Sequence, residues 1–123
     1  MFQDEVADFL ESEKLSAEVD VPIQGHSGSD YKVNVRVLIR NREALIATVS
    51  PKTPASAISR VDHVLRMWHD VNGNREKYTL FNDEVTQVRS EDVYLLEQAN
   101  SFVHKWSARE LLVAALKAEE RVH

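Results

Sequence analysis

Two histidines near the middle of the chain each adjoin an aspartate, and such pairs can bind metal ions or transfer protons. His63 follows Asp62 and His69 precedes Asp70, in a segment whose apolar residues recur at helical spacing. Helical zinc sites place two histidines four residues apart, so that both rings reach one ion. The spacing of six residues here directs the two rings to different faces of a helix. We therefore interpret these residues as part of a solvated helix face.

A third histidine adjoins a serine in residues 24–30 (QGHSGSD). His26 and Ser27 are the residue types of a hydrolase base and its nucleophile, but such a site needs a spatial geometry that sequence neighbours rarely supply. The strand–turn–helix context of a nucleophile elbow is also missing, because apolar alternation resumes directly after the segment. We therefore predict a turn between two strands.

Polar and apolar side chains alternate along residues 27–40 (SGSDYKVNVRVLIR), which predicts a long strand with one buried face. The predicted buried positions are Tyr31, Val33, Val35, Val37 and Ile39. The predicted exposed positions include Lys32, Asn34, Arg36 and Arg40, and Arg42 follows closely. These basic residues could form a strip that contacts a phosphate group or an acidic partner. An ordinary charged sheet surface is the alternative interpretation.

The flanking segments predict the elements that position this strand. Helical patterns cover residues 2–15, 53–71, 90–106 and 108–121, and strand patterns cover residues 17–23, 31–40, 44–50 and 77–81. Thr53 is a favourable N-cap with Pro54 at the first helical position, and Pro22 indicates an edge strand. Short connections predict an antiparallel meander, followed by a helical crossover to the fourth strand. We predict one α/β (α+β) domain over residues 1–123, with the order αβββαβαα and a single mixed four-stranded sheet flanked by helices.

Size and composition exclude several classes of protein. The chain has 123 residues, a formal net charge of −5, 43% hydrophobic residues and no cysteine. Disulfides and thiol catalysis are therefore excluded, and no apolar run approaches the ~20 residues of a membrane span. The acidic first residues do not resemble a signal peptide, so we expect a cytoplasmic protein. The negative charge opposes nucleic-acid binding, which depends on neutralising phosphates, and it favours a protein partner.

Residues 25–54 (GHSGSDYKVNVRVLIRNREALIATVSPKTP) resemble the core of the PD-(D/E)XK nuclease superfamily, in particular its Mrr-like restriction enzymes. The shared pattern is a glycine-containing turn, a strand, a short hairpin, a second strand and a helix, within the order αβββαβ. In that family two carboxylates hold Mg²⁺, and a lysine helps to position or activate the attacking water. The resemblance places Asn34 and Ser50 at the carboxylate positions and Lys52 at the lysine position. Neutral side chains cannot offset the charge of Mg²⁺, so the resemblance implies a degenerate member with these three residues as remnants.

The leading hypothesis is a non-catalytic protein-interaction domain on this nuclease-like fold, with no metal and no cofactor. Its predicted binding residues are Lys32, Asn34, Arg36 and Lys52. The resemblance implies an origin in a phage, prophage or defence-associated gene. Self-association is a further expectation, because Leu111, Leu112, Val113 and Leu116 are too many for one narrow apolar stripe.

Two alternatives keep a role for nucleic acid. The first is a metal-dependent DNA nuclease in which Asp20 or Asp30 gathers with Glu43 and Lys52 around Mg²⁺. The second is a domain that binds nucleic acid without catalysis. Magnesium binding and DNA cleavage distinguish the first from the second, and a steep salt dependence of affinity is expected of the second.

Overall fold

Apolar alternation and helical apolar stripes produce four α-helices and five strands in this computed structural model, which describes residues 1–71, 73 and 75–118. The helices are α1 (Phe2–Ser12), α2 (Pro54–Asp70), α3 (Ser90–Gln98) and α4 (Arg109–Lys117). The strands are β1 (Ser16–Gln24), β2 (Asp30–Ile39), β3 (Arg42–Val49), β4 (Glu76–Phe81) and β5 (Ser101–Lys105). The first six elements follow the order αβββαβ, as predicted, and the predicted end of the last helix at residues 119–121 lies outside the described residues.

The five strands form one mixed sheet in the order β1-β2-β3-β4-β5. Strands β1, β2 and β3 pair antiparallel through short turns, whereas β3, β4 and β5 pair parallel because α2 and α3 provide the crossovers. Pro22 lies on the edge strand β1, where its missing N–H costs no interior ladder bond. The predicted meander and helical crossover are therefore confirmed.

Helices cover both faces of the sheet, and each face has its own apolar cluster. Strand β3 contributes to both, since Leu45 and Ala47 belong to the cluster under α2 and α3, whereas Ala44 and Ile46 belong to the cluster under α1 and α4. Trp68 is fully buried in the first cluster, and its indole N–H donates to Thr79 Oγ1 at 2.9 Å. None of the described helices has the length and apolarity needed to cross a bilayer.

The sheet has five strands where the sequence predicted four. Residues 90–106 were expected to form one helix, but α3 ends at Gln98 and β5 begins at Ser101. The break lies at Asn100, whose φ of 64° places it in the left-handed region that often terminates helices. Phe102 then lies on an edge strand and is partly exposed, where the helical pattern had predicted an inward position. Thr53 caps α2 through its side chain, as predicted, but Ser90 is the first residue of α3 and does not cap it.

The long strand β2 changes the face it buries part-way along its length. Tyr31 and Val33 belong to the cluster under α2, whereas Val35 and Val37 belong to the cluster under α1. Residues two apart in a regular strand point to the same side, so the alternation shifts by one position at Asn34. Strand β1 shifts opposite to it at Asp20, which has a φ of 53°. The prediction that Tyr31, Val33, Val35, Val37 and Ile39 share one buried face was therefore wrong, although the first four are buried and Ile39 is partly buried.

Candidate functional site

The amide of Asn34 lies at this shift and connects β2 to three other elements. Its Oδ1 accepts hydrogen bonds from the Thr48 backbone N–H of β3 at 2.9 Å and from Arg60 Nη2 of α2 at 2.6 Å. Its Nδ2 donates to Gln3 Oε1 of α1 at 2.8 Å. Both groups that face Oδ1 can only donate, so the orientation of the amide is fixed by its partners. Asn34 is thus the centre of a polar network at one end of β3.

Arg60 brings a positive charge into this network without a carboxylate partner. Its Nε donates to the Thr48 carbonyl oxygen at 3.0 Å, and its Nη2 donates to Asn34. Within residues 1–71, 73 and 75–118, no carboxylate forms an ion pair with Arg60, and its Nη1 makes no hydrogen bond. Burial lowers the pKa of the guanidinium, although arginine remains protonated at any ordinary pH. The charge therefore lies among neutral acceptors.

A carboxylate is present at the far end of the same network. Gln3 is buried on α1, and its Nε2 donates to Asp20 Oδ1 at 3.0 Å. The hydrogen bonds thus run from Asp20 through Gln3 and Asn34 to Arg60, with two neutral amides between the opposite charges. This spacing leaves Arg60 polarised by its neighbours but not neutralised by direct contact.

The network forms one wall of an open groove of about 280 Å³ at the carboxyl end of β3. Its polar lining comprises Gln3, Asn34, Thr48, Ser50 and Arg60. Crevices beyond the carboxyl ends of parallel strands are common ligand sites in α/β sheets. The Ser50 hydroxyl accepts from Asn82 Nδ2 at 3.1 Å, so its own proton remains available to a ligand in the groove.

The structure brings two of the three predicted remnants together. Asn34 and Ser50 both line the groove, whereas Lys52 is exposed beyond it, in the loop before α2. Sequence reasoning missed Thr48, Gln3 and Arg60. Thr48 stands two residues before Ser50 on β3, so strand alternation could have placed it beside Ser50. No comparable pattern pointed to Arg60, which is 26 residues from Asn34 in sequence.

The acidic residues proposed for a regrouped magnesium site do not converge. Glu43 pairs with Arg36 at 3.2 Å and with Arg75 at 2.8 Å, near the opposite end of β3. Asp20 is held by Gln3, and Asp30 is exposed at the start of β2. The described part of the chain contains no group of three or more histidine, aspartate or glutamate residues that could hold a metal ion.

The predicted basic strip is divided by charge pairing and by the shift in β2. Arg36 pairs with Glu18 at 3.0 Å as well as with Glu43, and Arg42 pairs with Glu76 at 2.6 Å. Lys32 is exposed, but it lies before the shift at Asn34, whereas Arg36 lies after it. Their side chains therefore point to opposite sides of the sheet. Of the proposed binding residues on β2, Asn34 alone belongs to the groove.

The histidine–serine turn is held by a carboxylate on α2. Asp70 accepts hydrogen bonds from the Ser27 backbone N–H at 2.8 Å, from the Ser27 hydroxyl and from Tyr31 OH at 2.8 Å. The hydrogen bonds from Ser27 lower the pKa of Asp70. The serine proton thus points at a carboxylate with no imidazole between them, which agrees with a structural turn.

Comparison with known proteins identifies the fold but no family. No family model matches the chain, and no curated protein matches it. The structure of AF1548, a protein of unknown function, matches with a TM-score of 0.66 and 16% identity, over 86% of this chain and 57% of that one. Can2 from Sulfobacillus thermosulfidooxidans, solved in complex with cyclic tetra-adenylate, matches with a TM-score of 0.69 and 11% identity, over 95% and 35% of the respective chains. At these identities the likeness establishes a shared fold alone.

Proposed function

We propose that this chain is a non-catalytic protein-interaction domain on a nuclease-like fold. The observation that carries the proposal is the hydrogen bond from Arg60 Nη2 to Asn34 Oδ1 at 2.6 Å. In the nuclease pattern that the sequence resembles, Asn34 stands at a carboxylate position. Here the residue is a neutral amide, and a cationic side chain already occupies its oxygen.

The electrostatics of this arrangement oppose a divalent metal ion. Mg²⁺ prefers carboxylate oxygens that offset its charge, whereas the groove offers amide, hydroxyl and carbonyl oxygens. A guanidinium in hydrogen-bond contact with the same oxygen would repel the ion, and the repulsion is strong where burial reduces solvent screening. The remaining hydroxyls of Thr48 and Ser50 cannot supply the missing negative charge.

Exposed apolar side chains support a protein partner. Four of the exposed large apolar side chains lie on α3, on β5 and on α4: Tyr94, Leu95, Phe102 and Leu111. A groove of about 560 Å³ runs along β5, where the rings of Tyr78 and Phe102 contact each other at a tilt of 35° with centroids 5.3 Å apart. Aromatic side chains are typical anchors of protein interfaces. The other residues of the proposed self-association surface, Leu112, Val113 and Leu116, are buried against the sheet and do not contribute.

A DNA cleavage assay tests the non-catalytic proposal. Purified wild-type protein is incubated with supercoiled plasmid in MgCl₂ or MnCl₂, beside Asn34→Ala, Lys52→Ala and an EDTA control. We expect no nicking above the EDTA control for any of the three proteins. Metal-dependent nicking by the wild type that disappears in either variant would overturn the proposal and restore the nuclease alternative.

A further inference from the structure

We propose that the groove at the carboxyl end of β3 binds a phosphate group through the guanidinium of Arg60. This inference rests on the proposed function in one respect, since the groove must be free of a metal ion. The chemistry is that of a tetrahedral oxyanion, carried either by a small phosphate-bearing molecule or by a nucleic-acid backbone.

The first support is the hydrogen-bonding capacity that Arg60 keeps. A guanidinium has five N–H donors in a planar fork, and Arg60 uses two of them, one to the Thr48 carbonyl and one to Asn34. These two bonds fix the plane of the guanidinium, so little side-chain freedom would be lost on binding an anion. The remaining donors, on Nη1 and Nη2, are the type that binds phosphate oxygens in pairs.

The second support is the difference between Arg60 and the other partly buried arginines. Arg36, Arg42, Arg75 and Arg89 each pair with a carboxylate within 3.5 Å. Arg109 lies over the rings of Trp106 and Phe9 at 4.3 and 5.4 Å. Arg60 has neither kind of partner among residues 1–71, 73 and 75–118. A partly buried cation without a counterion is costly, and an anion in the groove would offset that cost.

The third support is the rest of the groove wall. Ser50 has a hydroxyl proton to donate, because its oxygen already accepts from Asn82. The hydroxyl of Thr48 makes no hydrogen bond in the described structure. A phosphate beside Arg60 would therefore meet one fixed cation and up to two neutral donors, with no carboxylate among the groove-lining residues. The nearest acid of the network, Asp20, lies behind Gln3.

Titration followed by amide NMR tests this inference and separates the two phosphate sources. Wild-type protein is titrated with inorganic phosphate in one arm and with a short oligothymidylate in the other, at constant ionic strength. We expect inorganic phosphate to shift the Arg60 Nε–H and the Thr48 and Ser50 amide signals. Tighter binding of the oligonucleotide at the same signals would assign the site to nucleic acid. Weaker binding of the oligonucleotide than of phosphate would assign it to small phosphate ligands.

Two groove variants and one matched control complete the test. Arg60→Gln should weaken phosphate binding about ten-fold or more, because a charge-assisted hydrogen bond is lost. Asn34→Asp supplies an internal counterion to Arg60, and it should weaken binding while preserving the fold. Arg75→Gln removes one positive charge at a carboxylate-paired site, and it should bind phosphate like the wild type.

Several results would overturn the inference. They are the absence of groove signals that respond to either ligand, an unchanged affinity in Arg60→Gln, or an unchanged affinity in Asn34→Asp. Failure here differs from failure of the proposed function. Metal-dependent DNA cleavage would refute the non-catalytic proposal whatever the phosphate titration shows, and absent phosphate binding leaves the cleavage result untouched.

Discussion

The two ends of strand β3 use the same residue types for different purposes. Near its start, Glu43 pairs with Arg36 and Arg75, and Arg42 pairs with Glu76, so each arginine meets a carboxylate. Near its end, the hydrogen-bond partners of Arg60 in the described part of the chain are the amide of Asn34 and the backbone carbonyl of Thr48. At the first end, which we call the matched end, the charged side chains pair with one another. At the other end, which we call the groove end, the positive charge of Arg60 has no such partner among the described residues.

This contrast predicts which substitutions change ligand binding. In a matched pair, each charge is already offset by its partner, so the pair attracts a charged ligand only weakly. A charge that is held by neutral hydrogen-bond partners alone contributes less to the free energy of folding than a paired charge does. It still attracts an anion. The groove end is therefore where we expect substitutions to change ligand binding, whereas substitutions at the matched end should change stability alone.

The largest effect on stability should come from Asn34→Leu. This change removes the partner of the Thr48 N–H, of Gln3 Oε1 and of Arg60 Nη2 while it keeps the side-chain size. We expect a loss of about 3 kcal/mol in the free energy of unfolding, measured by urea denaturation. Asn34→Asp keeps the oxygen that accepts from the Thr48 N–H and from Arg60 and loses the N–H that donates to Gln3 Oε1, while it adds a counterion for Arg60, and it serves as the matched control. It should remain within about 1 kcal/mol of the wild type, and equal losses in both variants would contradict the network.

Arg42→Ala should have the next largest effect and should act on the matched end. Besides Glu76, Arg42 donates to the carbonyl oxygens of Leu116 at 3.2 Å and Ala118 at 2.8 Å, and it thus joins β3 to the end of α4. We expect a loss of about 2 kcal/mol, because a mostly buried pair is broken and two carbonyls lose a donor. Phosphate binding in the groove should be unchanged. A weakened phosphate titration would show that the two ends are coupled.

Asp70 should make stability depend on pH in the acid range. Hydrogen bonds from Ser27 and Tyr31 hold its pKa below the ordinary value. Its contribution to stability is therefore complete above the unfolded-state pKa of about 4 and disappears as the pH falls through the lower folded-state pKa. The stability difference between the wild type and Asp70→Asn should shrink as the pH is lowered from 6 through about 4 and below. Thermal unfolding across this range measures it, and a difference that grows on acidification would refute the assignment.

The smallest effect should come from Arg75→Gln. Arg75 pairs with Glu43, but Glu43 also has Arg36, and Arg75 is about one-third exposed at 34%. Exposed pairs of this kind contribute about 0.5 kcal/mol or less, and salt should reduce the difference further. Urea denaturation at low and high NaCl checks this. A loss comparable to that of Arg42→Ala would mean that the matched end depends on Arg75 more than its exposure indicates.

Local patterns predicted most of the fold. Strand alternation identified β1 to β3, and Thr53 and Pro54 identified the start of α2, because these signals depend on neighbouring residues. The helical spacing of Leu95, Ala99, Phe102 and Trp106 hid the break at Asn100, since β5 obtains its stability from pairing with the distant β4. The face shift in β2 left no signal either. Tyr31, Val33, Val35 and Val37 are all buried, and alternation alone does not distinguish which helical layer covers each of them.

The candidate site was predicted only in part. Asn34 and Ser50 were found through a resemblance in pattern. Arg60 was not found, because what distinguishes it is the absence of a carboxylate partner among the described residues, and only the folded structure shows which residues surround it. The acidic residues named for the magnesium alternative do not gather in the structure, because Glu43 pairs with Arg36 and Arg75 through contacts that no sequence spacing reveals.

The most direct test compares the unfolding temperature of the wild type in rising MgCl₂ with that in rising sodium phosphate, at constant ionic strength. A ligand that binds only the folded state raises this temperature progressively once its free concentration exceeds its dissociation constant. An unmatched guanidinium at the end of β3 predicts a rise with phosphate that is larger in the wild type than in Arg60→Gln, and no rise with magnesium. A rise with magnesium and none with phosphate would contradict the claim that this groove attracts anions and repels divalent metal ions.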